Sequence, residues 1–153
     1  MSGLESLYQE LILDHSKRPH GKGLADDEGR TATSYQRNPI CGDEITLRVR
    51  VTDDGSAVSE ITWDGAGCSI SQASASMLVA LVEEDGGDDG LGREAASALV
   101  DGFREALRSR GTIPLDEETF GDAAALSGVS KYTARVKCAM LAWVAFEDAL
   151  ARA

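Results

Sequence analysis

The stretch ITLRVRVTDDGSAVSEITWD, residues 45–64, decides the fold. Its first seven residues alternate apolar side chains with threonine and arginine, which predicts a strand with one buried face and one solvated face. The Asp-Asp-Gly at residues 53–55 is typical of a hairpin turn, so residues 58–64 are predicted to return as an antiparallel partner. Residues 31–37 predict a weaker third strand at the edge of this sheet.

Helical periodicity flanks the hairpin on both sides. The apolar spacing predicts helices over residues 2–15, from Cys68 to about Val82, over about 92–109, and from a start between 130 and 137 to Arg152. Residues 111–130 are predicted to be mostly turn, with one short helix near 122–126, and residues 83–90 an acidic, glycine-rich loop. The fold class is therefore α+β, a small three-stranded antiparallel sheet packed by helices, and residues 1–153 are expected to form a single domain.

Composition and charge restrict the partners. The chain has 153 residues, is 42% hydrophobic and 27% charged, and carries a net charge of −11, so neither nucleic acid nor an anionic membrane surface is an expected partner. The short basic stretch at residues 17–22 is expected to be a solvated loop. No apolar run approaches the ~20 residues of a membrane helix, and no secretory signal is visible, so we expect a cytoplasmic protein.

The three cysteines, Cys41, Cys68 and Cys138, are the strongest chemical signal. An odd number cannot pair completely within the chain, so they are buried core residues, metal ligands or reactive thiols. Cys41 lies in a turn that leads into the first strong strand, and Asp43 follows two residues later. Because residues i and i+2 of an extended segment project to the same side, the thiolate and the carboxylate are able to face one point.

The other two cysteines are also predicted to lie near the ends of elements. Cys68 stands between a glycine-rich turn and a helix N-terminus, and Cys138 follows Arg135 near the first turns of the last helix. Both settings favour the thiolate form, which binds soft or borderline metals and attacks sulfur. Three thiolates and the Asp43 carboxylate make a tetrahedral site that suits zinc. The three thiolates would also supply three-quarters of the ligands of an iron–sulfur cluster. Cysteine is also a common small buried residue, so spacing alone does not decide between these interpretations.

Three motifs carry a resemblance to a known family. The stretches NPICGD (38–43), GAGCSIS (65–71) and RVKCAMLAW (135–143) resemble the U-type iron–sulfur cluster assembly proteins, a family of IscU- and NifU-like chains, and the SufU branch in particular. The run from Tyr8 to His15 also fits, so the likeness covers roughly residues 5–150.

Two departures from IscU relatives favour the SufU branch. IscU-type scaffolds have a histidine before the third cysteine, where this chain has Lys137, and residues 83–130 look like the longer SufU insertion. Residues 132–136 do not match the segment that IscU shows to its dedicated chaperone, so a chaperone of that type is not expected.

The resemblance implies a sulfur relay. SufU-like proteins hold one zinc ion with the residues that correspond to Cys41, Asp43, Cys68 and Cys138, and they dock on SufS, a pyridoxal-phosphate cysteine desulfurase that carries a persulfide. In these proteins a desulfurase histidine displaces one zinc ligand, and the thiolate that corresponds to Cys41 accepts the sulfur. The resemblance therefore implies that Cys41 is the catalytic cysteine and that the sulfur passes on to downstream SUF scaffold components. This agrees with the requirement of thiol–persulfide exchange for an attacking thiolate.

Other interpretations stay open at this point. One alternative is a scaffold that assembles and transfers a [2Fe–2S] cluster on the same ligands, and another is a structural zinc ion in an interaction module. Arg135 and Lys137 either support the site or are ordinary surface cations. His15 and His20 are expected outside the metal site, at the surface or facing a partner.

Overall fold

A four-stranded antiparallel sheet forms one layer of the protein. The structure, a computed structural model, describes residues 3–39 and 42–153. The strands follow the chain in spatial order: β1 (Thr31–Arg37), β2 (Glu44–Val51), β3 (Ala57–Ala66) and β4 (Leu91–Gly92). The predicted edge strand and central hairpin are confirmed. The two-residue β4 was not predicted, because a single pair of residues after a glycine-rich turn has no period of its own.

Helices cover this sheet. They are α1 (Gly3–Lys17), α2 (Ser69–Gly86), α3 (Arg93–Arg108), α4 (Glu117–Phe120) and α5 (Thr133–Arg152), with 3₁₀ segments at Gly87–Asp89 and Gly121–Lys131. The α+β class is confirmed, but part of the predicted acidic loop is wrong, since residues 83–86 continue α2. Residues 111–130 also hold more helix than predicted, because α4 and the long 3₁₀ segment together occupy all of residues 117–131. No helix in the described part of the chain is long and apolar enough to span a membrane.

The core lies between the inner face of the sheet and the helices α2, α3 and α5. The apolar positions of β2 are buried as the alternation predicts, with Ile45, Leu47 and Val49 fully inaccessible. Phe103 of α3 stacks on Trp143 of α5, with ring centroids 3.9 Å apart and an interplanar angle of 5°. Large aromatic and aliphatic side chains therefore fix α5 against the other elements of the core.

A buried polar link sets the position of α5 against α2. The Ser74 hydroxyl of α2 donates to the backbone carbonyl of Ala139 at 2.6 Å and accepts the indole N–H of Trp143 at 2.9 Å. Both bonds are buried, so breaking either would leave a polar group unsatisfied in the core. Since Cys138 directly precedes Ala139 and Cys68 precedes the first residue of α2, this link brings two of the predicted ligands to one end of the helix pair.

Candidate metal centre

The connection between β1 and β2 supplies the carboxylate of the site. The Asn38 N–H donates to the Asp43 carbonyl at 2.8 Å, and the Gly42 N–H donates to the Asn38 carbonyl at 2.8 Å. Gly42 has φ +75°, a left-handed conformation that glycine adopts without steric cost. These constraints hold Asp43, which is only 2% exposed, directly before the first residue of β2.

The N-terminus of α2 supplies the second ligand. Cys68 is the N-cap residue, with extended backbone, and its carbonyl accepts the Gln72 N–H in the first helical turn. The Cys68 N–H, which the helix itself does not use, donates to Asp43 Oδ1 at 3.0 Å, and Cys68 Sγ lies 3.4 Å from Asp43 Oδ2. One carboxylate oxygen is therefore held by the backbone, while the other is presented beside the thiol.

The second turn of α5 supplies the third ligand. Cys138 is 6% exposed, and its Sγ lies 3.7 Å from the Ala134 carbonyl one turn earlier. Cys68, in contrast, is exposed. The two described thiols therefore differ in access, with Cys138 on the inner side of the site.

These three residues form a candidate ligand cluster. Asp43, Cys68 and Cys138 each contribute one donor atom, and the three atoms lie within 4.8 Å of one another. In a tetrahedral zinc site a thiolate sulfur and a carboxylate oxygen are about 3.6 Å apart and two sulfurs about 3.8 Å. The distance of 3.4 Å between Cys68 Sγ and Asp43 Oδ2 is close to the sulfur–oxygen separation of such a site. The distance between the Cys68 and Cys138 sulfurs would need to shorten by at most about 1 Å to reach the sulfur–sulfur separation, so the donor set fits zinc.

Gly67 makes room for this carboxylate. A Cβ at Gly67 would lie 2.5 Å from Asp43 Oδ1 and 2.6 Å from Ser71 Oγ, closer than real Cβ contacts. Ser71 is fully buried, and its hydroxyl donates to the Cys68 carbonyl at 3.0 Å. In the sequence, the glycines at 65 and 67 were interpreted only as a turn, so this packing role was not predicted. The position of Gly67, directly before the predicted ligand Cys68, was the available signal.

An open cleft of about 1030 Å³ surrounds the cluster. Arg135 and Lys137 line it together with the three ligands, and both cations are exposed. Arg135 is held over the ring of Tyr132, with 5.5 Å between the guanidinium carbon and the ring centroid. The structure therefore brings five of the six predicted site residues to one cleft. The sixth, Cys41, lies outside the described residues, so its place in the site stays a prediction.

The two histidines lie outside the metal cleft, as expected, but only His20 is exposed at the surface. His15 is 4% exposed, so its predicted surface position is wrong. Its Nε2 donates to Asp122 Oδ2 at 2.9 Å, since a carboxylate oxygen accepts, and its Nδ1 lies 2.7 Å from the Ser76 hydroxyl. The His20 side chain is exposed, with its ring 5.3 Å from that of His15. Neither histidine joins the ligand cluster among the described residues.

The comparisons with known proteins agree with this fold. The family model "NifU-like N terminal domain" matches residues 7–139. The chain is 36% identical over 151 residues to the zinc-dependent sulfurtransferase SufU of Bacillus subtilis, and this match covers 99% of this chain and 94% of the relative. It is 40% identical over 152 residues to the iron–sulfur cluster assembly scaffold protein IscU of Streptococcus pyogenes, covering 99% and 87%.

A solved structure extends the likeness to three dimensions. A candidate iron–sulfur cluster assembly scaffold protein for the SUF system from Fervidobacterium islandicum superposes with a TM-score of 0.73 at 28% identity, covering 97% of this chain and 99% of that one. The fold and these relatives define an iron–sulfur cluster assembly type of protein. The chain belongs to the NifU-like N-terminal domain family, the group of IscU- and SufU-type iron–sulfur cluster assembly proteins.

Proposed function

We propose that the protein is a zinc-dependent sulfurtransferase of the SUF system, which accepts persulfide sulfur from a SufS-type cysteine desulfurase and passes it to downstream SUF scaffold components. The observation that carries this proposal is the convergence of Asp43, Cys68 and Cys138 within 4.8 Å at an open cleft. The relative named a zinc-dependent sulfurtransferase, which matches over nearly the whole chain, supports the choice of metal and reaction.

The proposed ligand set is Cys41, Asp43, Cys68 and Cys138. Zinc would keep the thiolates deprotonated at neutral pH, which is the form that exchange requires. Three thiolates and one carboxylate leave a formal charge of −2 around Zn²⁺. The exposed Arg135 and Lys137 at the cleft offset this charge for a partner that approaches with an anionic persulfide.

The proposed reaction transfers one sulfur atom without a net redox change. The thiolate of Cys41 attacks the outer sulfur of the desulfurase persulfide, a new S–S bond forms on Cys41, and the desulfurase cysteine leaves as its thiolate. The 2% exposure of Asp43 and 6% exposure of Cys138 fit holding roles, since neither is open to a second protein. Cys41 is the proposed catalytic residue on the family resemblance.

Metal content distinguishes this function from its alternative. The relative named IscU, at 40% identity, favours a scaffold for a [2Fe–2S] cluster as the second candidate. Protein purified anaerobically without added metal is expected to contain about one zinc per chain and no iron. Iron with acid-labile sulfide would favour the scaffold, and metal-free protein with three titratable thiols would contradict both functions.

Desulfurase turnover tests the relay itself. We expect Cys41→Ala to abolish both sulfur acceptance and the stimulation of the desulfurase while the circular dichroism spectrum stays that of the folded protein. Full stimulation by Cys41→Ala would contradict the relay. If the zinc ion only stabilised the fold, Cys41→Ala would not change the turnover of the desulfurase, although removal of the zinc ion would unfold the chain.

A further inference from the structure

A second groove lies beside the metal cleft, and the proposed sulfur chemistry does not use it. Its volume is about 500 Å³, within the range of pockets that bind ligands. One wall is formed by α1 and the other by the end of the long 3₁₀ segment. Its lining includes Ile12, Leu13, Gly128, Val129, Lys131 and Tyr132.

The rim of this groove exposes large apolar side chains. Leu13 is 49% exposed and Tyr132 is 58% exposed, on opposite walls of the groove. Apolar and aromatic groups that cluster at a concave surface mark contact sites for other proteins, in which tyrosine is enriched. The groove is therefore shaped for an apolar side chain rather than for a small polar metabolite.

The charge of the lining indicates the chemistry of the occupant. The charged residues that line the groove are Lys131 and Arg135, both exposed cations, in a chain whose net charge is −11. No acidic residue of the described chain lines the groove. A segment with carboxylates beside its apolar side chain would match this pair, whereas the rest of the acidic surface would repel it.

The groove and the metal cleft share a wall. Ile70 and Arg135 line both cavities, and Arg135 rests over the ring of Tyr132 at the groove rim. An occupant of the groove therefore contacts a side chain that also faces the metal ligands. This places the occupant beside the site of sulfur transfer without blocking the cleft.

We propose that this groove binds a segment of a protein partner in which a large apolar side chain is flanked by carboxylates. The apolar side chain fills the space between Leu13 and Val129, and the carboxylates pair with Lys131 and Arg135. This docking site goes beyond the sulfurtransferase chemistry, and binding there does not require sulfur transfer, although the groove shares Arg135 with the metal cleft.

Peptide binding tests the proposal directly. The probe is an acetylated and amidated hexapeptide of alternating glutamate and leucine, added to the zinc-loaded protein and followed by amide chemical shifts. We expect saturable shifts at Gly128, Val129 and Tyr132. A lysine–leucine peptide and a glutamate–serine peptide are expected to bind at least about tenfold more weakly, because each lacks one half of the complementarity.

Two variants tie the binding to this groove. A side chain at Gly128 would meet no atom within 4 Å of its Cβ, and Gly128 does not have a left-handed backbone, so Gly128→Leu fills the groove without straining the fold. We expect it to reduce affinity for the glutamate–leucine peptide by about tenfold or more. Lys131→Glu is expected to weaken binding, whereas Lys17→Glu, an equal charge reversal at an exposed residue that does not line the groove, is expected to change it little.

The outcomes are distinct from those of the sulfur transfer experiments. Zinc content and circular dichroism are measured for each variant, so a loss of binding is assigned to the groove only where both are unchanged. Equal binding of the lysine–leucine peptide, or unchanged binding by Gly128→Leu, would overturn the proposal. Self-association of the chain that Gly128→Leu abolishes would also overturn it, because the occupant would then be a second copy.

Discussion

Asp43 contacts Cys68 through both of its carboxylate oxygens. Oδ1 accepts the Cys68 backbone N–H at 3.0 Å, and Oδ2 lies 3.4 Å from the Cys68 sulfur. The first contact fixes the carboxylate, and the second makes it a neighbour of the Cys68 sulfur. Such hydrogen bonds to a ligand orient it before the metal arrives and raise metal affinity.

Replacement of Asp43 tests its role as a ligand. We expect Asp43→Ala to weaken zinc binding by at least about 100-fold, because the variant loses both a donor atom and the contact that orders the Cys68 backbone. The measurement is competition for zinc against a chromophoric chelator. Asp53→Ala, at an exposed residue of the β2–β3 turn, is the matched control. An unchanged zinc affinity in Asp43→Ala would remove this residue from the ligand set.

A methyl group at Gly67 tests the packing around the carboxylate. The new Cβ would fall 2.5 Å from Asp43 Oδ1 and 2.6 Å from Ser71 Oγ, so the carboxylate must move. We expect Gly67→Ala to lower zinc affinity by about 10- to 100-fold while the chain stays folded. Gly92→Ala is the control, since nothing lies within 4 Å of its added Cβ. Equal zinc affinities for the two variants would contradict the packing argument.

The elements with a clear period could be predicted from the sequence. The alternation in residues 45–51 predicted β2 to within one residue, because one face of that strand is buried and the other is not. The spacing also predicted α3, which is Arg93–Arg108, to within about one residue at each end. The sequence predicted only residues 122–126 of the 3₁₀ segment Gly121–Lys131 as helix and did not predict β4, since tertiary packing determines their extent rather than local periodicity.

The residues of the candidate cluster were singled out from the sequence, but their geometry was not predictable. Motif resemblance singled out Asp43, Cys68 and Cys138, and the sequence placed Cys68 at a helix N-terminus, where the structure has it as N-cap. The double contact of Asp43 with Cys68 depends on the close packing of two elements, for which the sequence has no signal. The buried His15 was missed for the same reason, because its partners lie 61 and 107 residues away.

The two adjacent histidines offer a matched pair for stability. His15 is buried and contacts Ser76 and Asp122, whereas the His20 side chain is exposed. We expect His15→Ala to lower the free energy of unfolding by about 2–3 kcal/mol, since it leaves the buried Ser76 hydroxyl without this partner and opens a cavity. His20→Ala is expected to cost less than about 1 kcal/mol. Urea unfolding measures both, and equal losses would contradict the structural role of His15.

The hairpin turn makes a pH-dependent contribution to stability. The Thr52 hydroxyl, and then the Ser56 N–H and hydroxyl, donate hydrogen bonds that lower the pKa of Asp54 from 3.8 to about 2. Because the folded pKa lies below the unfolded one, the stabilisation is complete above about pH 4 and is lost as the pH falls towards 2. We expect the Asp54 carboxyl carbon to titrate near pH 2 in the folded protein.

A variant checks the sign of this pH dependence. Asp54→Ala is expected to lose less stability than the unsubstituted protein between about pH 4 and pH 2, because its unfolding no longer takes up this proton. A carboxyl carbon that titrates at or above 3.8 would contradict the proposed hydrogen bonds.

The most direct test of the central claim is the location of the transferred sulfur. Trypsin cleaves after Arg37 and after Arg48, so it releases Cys41 in the peptide 38–48, which contains neither of the other cysteines. After anaerobic incubation with a SufS-type desulfurase and cysteine, followed by alkylation, we predict one extra sulfur atom, about 32 Da, on this peptide. The extra mass should be absent when the desulfurase is omitted and in Cys41→Ala. Turnover of the desulfurase with no extra sulfur on this peptide, or with sulfur only on the peptides of Cys68 or Cys138, would contradict the account.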